Sequence, residues 1–244
     1  MKTRAETIPG EYAAEAAGLA WLAQPGLVRT PAVLEVSEGY LALEWVETGS
    51  LSAAGAEELG RGLAGTHAAG AESFGAPPGA PAETGFGSLR LPNEPAADWP
   101  SFYAERRLAP LAAIARERGA LSARASALIE GLCGRLTELA GPSEAPARLH
   151  GDLWSGNVIA GADGRAWLID PSAYGGHREM DLAMLRLFGA PSERIFAAYE
   201  EAWPLAEGAG ERVALCQLAP LLVHAALFGG SYGAAAERAA ARYA

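Results

Sequence analysis

Three short polar side chains, Asp152, Asn157 and Asp170, are typed and spaced for phosphoryl transfer. The first two lie in Leu149-His150-Gly151-Asp152-Leu153-Trp154-Ser155-Gly156-Asn157, a His-x-Asp-x-x-x-x-Asn pattern. The third follows in Ile169-Asp170-Pro171. In such chemistry one carboxylate accepts the proton of an attacking hydroxyl, and an amide oxygen reaches a divalent ion on the phosphates. A second carboxylate, from a neighbouring loop, holds the same ion. Four residues between Asp152 and Asn157 allow both to face one side of a tight loop, and Gly151 and Gly156 are expected to let the backbone turn sharply. Asn157 and Asp170 are hard oxygen ligands suited to Mg²⁺. Asp152 needs no strongly raised pKa, because its task is orientation and late proton acceptance. Singly, an Asp or Asn beside a Gly is a turn former; the combination is what points to a site. His150 reads as structural, packing and bonding to backbone.

The elements around this loop follow from periodicity. Gly10–Ala23 reads as a helix with Tyr12, Ala16, Leu19 and Leu22 near one face, ended by Pro25-Gly26. Ala32–Val36 and Tyr40–Val46 read as strands joined by a turn at Ser37-Glu38-Gly39. Ser50 or Ser52 is placed to cap a helix through Leu59, Leu63 and His67. Gly70–Pro100, rich in Gly and Pro, reads as a long irregular connection. Helices are expected over Phe102–Arg118 and Ser122–Leu139, then a Pro-rich gap from Gly141 to Pro146. Val158-Ile159 and Trp167-Leu168-Ile169 read as short strands around a turn at Gly161–Gly164. The remainder from Met180 is mostly helical. This order predicts an α+β fold in two lobes: a small mixed lobe over residues 1–48, with few antiparallel strands and one helix, and a larger, mainly helical lobe over 49–244. A small ligand is expected between lobes.

Composition narrows the function classes. The chain has 244 residues, half of them hydrophobic, and a net charge of -10, so a packed core is expected. An acidic chain without a basic run argues against a nucleic-acid partner. Cys133 and Cys216 are isolated and read as buried small hydrophobes in a reducing cytoplasm rather than as a disulfide or zinc site. The N-terminus lacks a secretory pattern, and no run of about 18 apolar residues suggests a membrane span. Lys2 is the only lysine, and Asn93 and Asn157 are the only asparagines. Such a composition suits a GC-rich coding sequence and makes each survivor informative.

The motif region resembles the fructosamine (ketosamine) kinases. His150-Gly151-Asp152 alone is shared with aminoglycoside phosphotransferases and choline kinases. Leu153-Trp154-Ser155, Ile169-Asp170-Pro171 and Tyr174-Gly175-Gly176-His177-Arg178-Glu179-Met180-Asp181 narrow the likeness. Gly18-Leu19, Leu43-Glu44-Trp45, Asp98-Trp99, Arg107-Leu108 and Phe228-Gly229-Gly230 extend it over nearly the whole chain. The resemblance implies a protein-kinase-like fold and transfer of the ATP γ-phosphate to a sugar hydroxyl of a ketosamine, after which the adduct is unstable and the amine is released. It implies Asp152 as base, Asn157 and Asp170 as Mg²⁺ ligands, and Asp181 as the carboxylate bracing the catalytic loop, unless Asp181 is an ordinary helix N-cap. Glu44, Trp45 and Val46 are implied as the hinge that meets adenine, a plain core strand being the other reading. Trp154 is a sugar platform by type, with Tyr174, His177, Arg178, Glu179 and His224 as further candidates; a structural role competes for each.

Lys2 is implied as the strand lysine holding the α/β-phosphates, with Glu15 as its ion-pair partner; a solvated terminal lysine is the alternative. Family members carry a glycine-rich hairpin before this lysine. Its absence here suggests a GTG valine codon read as the start, or else a weak or relic kinase. The rival activities are phosphorylation of an aminoglycoside, choline or homoserine, and non-catalytic nucleotide binding. The expected state is a cytoplasmic monomer or homodimer acting on a small-molecule or protein-bound ketosamine, with neither nucleic acid nor membrane as partner.

Overall fold

Small residues and leucines at helical spacing build most of the chain. In the computed structural model, which describes residues 1–3, 9–77, 80 and 83–244, the chain is α+β, with helices outnumbering short antiparallel strand pairs. It divides into two compact units. The first joins Met1–Glu72, Pro77–Ala80 and Ala145–Leu205; the second joins Ser73–Ala76, Pro81–Glu144 and Ala206–Ala244.

The first unit carries residues 1–48 together with the whole catalytic segment. Helix Glu11–Ala23 packs near strands Val33–Val36 and Leu41–Leu43, which pair antiparallel. Lys2 continues this pairing, donating its backbone N–H to the Leu41 carbonyl at 2.8 Å and accepting from the Leu41 N–H at 3.1 Å. The second strand is shorter than its sequence suggests: Glu44–Val46 lies beyond it, so the core-strand reading of that stretch is not met. Helix Ala53–Ala68 starts at Ser52, whose Oγ accepts from the Gly55 N–H at 2.9 Å and thereby satisfies one of the free donors of the first turn. Leu59 and Leu63 of this helix meet Leu153, Leu168, Leu182 and Ile195 in one apolar core. Leu153, fully buried, is the apolar anchor that ties the catalytic loop to it.

Two strands went unmarked by periodicity. Ala147–Leu149 pairs antiparallel with Tyr174–Gly176, so the catalytic loop leaves one of two adjacent strands. Three-residue strands carry too little alternation to read. Val158–Ala160 and Ala166–Leu168 form the expected hairpin. Asp181 is an interior residue of helix Glu179–Leu187, whose N-cap is Arg178, so the capping alternative for Asp181 is not met.

In the second unit, part of the stretch read as irregular connection folds: Glu83–Phe86 and Leu89–Pro92 form a hairpin, and a helix begins at Trp99 under the Asp98 cap. Pro78, Gly79, Pro81 and Ala82 of that stretch lie outside the described residues. The helix expected over Phe102–Arg118 is interrupted by a π-helical segment, Ala104–Leu108, that turns Arg107 inward. Arg107 is buried, donating to Asn93 Oδ1 at 2.7 Å and to the Pro92 carbonyl at 2.8 Å while lying over Phe102. Ser122 caps Ala123–Cys133 through the Ala125 N–H. Leu218–Phe228 and Tyr232–Ala240 complete this helical unit. Cys216 is buried, but Cys133 is half-exposed, against the expectation for both; neither forms a disulfide among the described residues. Ala209–Phe228 is long and apolar enough, by length and composition, to cross a membrane, although Glu211, Arg212 and Gln217 interrupt it, so it is not an unbroken apolar run. Half of it is buried within the protein, as in a core helix.

Candidate active site

Asp152 and Asn157 sit in the loop after Ala147–Leu149, where a 3-10 turn over Ser155–Asn157 folds the chain back on itself. The Asn157 Nδ2 donates to the Asp152 carbonyl at 2.8 Å and to its carboxylate at 3.2 Å. This leaves the Asn157 amide oxygen as the group available to a cation. The Asn157 carbonyl accepts from the Ile169 N–H at 3.1 Å, which brings the residue before Asp170 alongside. His150 makes the second tie between the loops. Its Nε2 lies 2.9 Å from the Ile169 carbonyl, and its Nδ1 lies 3.3 Å from the Asp152 N–H. A carbonyl can only accept, so Nε2 carries the proton and Nδ1 receives one. Burial holds the His150 imidazole below its ordinary range, which keeps it neutral in this structural role.

Asp170 is the only non-glycine residue with positive φ among the described residues, at 54°. Such strain in a short polar residue is found where surrounding contacts hold a functional group. Its carboxylate lies 3.0 Å from the Lys2 Nζ, and Lys2 in turn lies 2.7 Å from Glu15 on the first helix. Lys2 is thus clamped by two carboxylates. Burial opposes its charge, but the hydrogen bond it donates to Glu15 and the field of Asp170 outweigh this and hold the ammonium above its usual range. For the same pair, burial pushes the Glu15 carboxyl up.

Asp152 itself departs from expectation. Burial pushes its carboxyl up to about 6, against the lowering effect of the Asn157 amide; the nearby Asp170 charge adds to the rise. A carboxyl with that pKa is ionised at neutral pH yet takes a proton more readily than an ordinary carboxylate, which suits it to act as a base. Asp181 behaves oppositely. Burial would raise it, but bonds from His67 and the Gly151 amide and the field of His150 hold it below the ordinary range. Its two oxygens accept from the His150 N–H at 2.7 Å and the Gly151 N–H at 2.9 Å.

The two loop glycines serve different ends. Gly151 has φ of 83°, and a β-carbon there would strike the Ser172 carbonyl. Gly156 lies inside the 3-10 turn without a left-handed φ; a β-carbon there would strike the Trp154 ring, so its bare backbone also seats the indole.

The profile described as fructosamine kinase matches residues 1–243. The chain belongs to the fructosamine kinase family. A Thermus thermophilus protein assigned as a ketoamine kinase is 37% identical over 98% of this chain and 85% of its own length. The chloroplast protein-ribulosamine 3-kinase of Arabidopsis thaliana is 31% identical over 97% of this chain and 73% of its own. A crystal structure assigned as a fructosamine-3-kinase, from Thermobifida fusca, superposes with a TM-score of 0.90 at 46% identity, covering 98% of this chain and 82% of that one. The fold of the chain is protein-kinase-like.

Among the remaining candidates in this fructosamine kinase, Trp154 is 39% exposed, edge-on to Phe188. Trp45 is exposed, between an exposed Glu44 and a half-buried Val46. Tyr174, His177, Arg178 and Glu179 are all buried. Arg178 is committed internally: it donates to the Trp203 and Pro204 carbonyls, each at 2.9 Å, and lies over the Trp203 ring. His224 belongs to the second unit, where its Nδ1 meets the Pro220 carbonyl at 2.8 Å. Two residues that motif reading passed over, His67 and Tyr199, join Asp181 beneath the loop. The signal for His67 is a histidine on an otherwise apolar helical face.

Proposed function

We propose that this fructosamine kinase transfers the γ-phosphoryl group of ATP to a sugar hydroxyl of a ketosamine, a fructosamine or ribulosamine adduct, with Asp152 as base. The reading rests on one observation: Asp152, Asn157 and Asp170 converge from two loops that are bonded to each other, with Lys2 at 3.0 Å from Asp170. The acceptor O–H gives its proton to Asp152 as the new O–P bond forms and the bond to ADP breaks. Lys2, held by Glu15, binds the α/β-phosphates. The Asn157 oxygen and the Asp170 carboxylate fit Mg²⁺, a hard ion that takes few protein ligands and keeps several waters. When bound, Mg²⁺ supplies charge neutralisation on the phosphates. Glu44, Trp45 and Val46 meet adenine along their backbone. Trp154, exposed beside the base, supplies a flat face for the sugar ring. Tyr174, His177 and Glu179, buried from strand Tyr174–Gly176 to the start of helix Glu179–Leu187, support this segment, Arg178 braces the Trp203 turn, and His224 is a further candidate for substrate binding.

In this reading residues 1–48 form the ATP-side lobe and 49–244 the substrate-side lobe. The enzyme works in the cytoplasm on free or protein-bound adducts as a monomer or homodimer. ADP release with fructoselysine, ATP and Mg²⁺ is the test. Wild type turns over and Asp152→Asn loses about 10²–10⁴-fold in kcat, the usual range for a removed base. ATP binding without turnover by wild type would favour the nucleotide-binding reading instead, and turnover with choline or an aminoglycoside but no ketosamine would reassign the acceptor.

A further inference from the structure

We propose that Tyr199 and His67 are positioning residues for this transfer, acting through Asp181 to set the backbone that carries Asp152. The proposal rests on the phosphotransfer reading for its catalytic consequence, and on geometry alone for the network. Both side chains are almost fully buried, at 1% exposure each. A histidine so buried must satisfy both ring nitrogens. His67 Nδ1 lies 2.9 Å from the Tyr199 hydroxyl, and Nε2 lies 3.3 Å from Asp181 Oδ2.

The direction of each bond follows from chemistry. An ionised carboxylate only accepts, so the proton sits on His67 Nε2. In the neutral ring that this proposal assigns, Nδ1 presents a lone pair and the Tyr199 O–H donates to it. Asp181, receiving that bond, also receives the His150 and Gly151 N–H groups at 2.7 and 2.9 Å. The chain runs with one polarity from Tyr199 to His67 to Asp181, where it meets the two amides immediately before Asp152. Two amides hold Asp181 from the loop, one on each oxygen; His67 adds a third contact, to the Oδ2 that also accepts from the His150 N–H, and so ties the carboxylate to helix Ala53–Ala68. The left-handed Gly151, at φ 83°, is the point where this anchoring sets the direction of the chain into Asp152. Close packing of helix Ala53–Ala68 on helix Arg194–Ala202, with Gly60 against the Ile195 carbonyl, lets the Tyr199 hydroxyl reach across.

The test uses three variants of the full chain. Tyr199→Phe removes one oxygen and keeps the ring. His67→Leu removes both polar contacts. His67→Gln keeps a donor and an acceptor near their places. With ATP, Mg²⁺ and fructoselysine, Tyr199→Phe should lower kcat about tenfold with both KM values within about twofold, the pattern of a lost transition-state geometry. His67→Leu should lose more, and His67→Gln should recover most of kcat. Amide hydrogen exchange at His150 and Gly151 should quicken about tenfold in Tyr199→Phe, while amides of helix Leu218–Phe228 keep their rates. In wild type, ¹⁵N shifts should show His67 protonated on Nε2 alone. The proposal is overturned if Tyr199→Phe leaves kcat and loop exchange unchanged, even with a lowered Tm, or if Nδ1 carries a proton. Should wild type fail to phosphorylate fructoselysine, the acceptor assignment falls, while exchange and ¹⁵N shifts still decide the network.

Discussion

Asp152 sits between two demands. Its carboxyl is pushed up to about 6, first by burial. As a base it must be ionised, so activity is lost as pH falls through that value. We expect kcat/KM to rise with pH across about 6 and to level above it, read from a pH–rate profile with Mg²⁺ and ATP saturating. The same shift has a stability sign. A carboxyl whose folded pKa is raised above the unfolded 3.8 costs stability as it ionises, a cost that builds between 3.8 and about 6 and persists above. Asp152→Asn, inactive, should therefore melt at a higher temperature than wild type at pH 7; equal or lower Tm would mean that the ionised carboxylate is stabilised by its neighbours.

Among elements, the helix Ala53–Ala68 does most to hold the catalytic segment. Its cap, Ser52, accepts from the Gly55 N–H and donates to the Gly164 carbonyl, both at 2.9 Å. One hydroxyl thus starts the helix and pins it to the turn of the hairpin that leads to Asp170. Ser52→Ala should cost about 1 kcal/mol in urea unfolding, the usual value for a lost N-cap, with activity retained. The cap was readable because Ser before an apolar-periodic run has a local cause. The π-helical step at Ala104–Leu108 was not, because the inward turn of Arg107 answers to Asn93 and Pro92, which lie on a different element.

For the whole molecule, acid is the sensitive direction. Buried His150 stays neutral in the fold, so stability falls as pH drops below its ordinary 6.5 and the unfolded chain takes up the proton. Asp181, held below 3.8, contributes stability that is present above 3.8 and lost as pH falls through its folded value. Between about 6 and 3.8 the His150 loss is opposed by the relief of the Asp152 cost, so chemical unfolding across pH 3–7 should show wild type weakening most clearly below about 4, where Asp181 takes up its proton. Asp181→Asn should be less stable at pH 7 by about 3–5 kcal/mol, the scale of a broken buried charged contact, and should lack the steep acid portion. A variant that keeps that portion would place its origin elsewhere.

The sequence by itself singled out the proposed reacting groups, Asp152, Asn157 and Asp170, and determined most helices, because both are local: a loop motif points to chemistry within a few residues, and helical periodicity repeats every turn. It also carried the family likeness, which the match over residues 1–243 bears out. Only the tertiary structure decided what those groups are worth. The raised pKa of Asp152, the left-handed Asp170 and the carboxylate clamp on Lys2 arise from burial and from neighbours distant in the chain. The short strands Ala147–Leu149 and Tyr174–Gly176 and the chain from Tyr199 through His67 to Asp181 are of the same kind. Their partners are brought together by the collapse of an apolar core, and no local pattern encodes which polar atoms that collapse will leave facing one another.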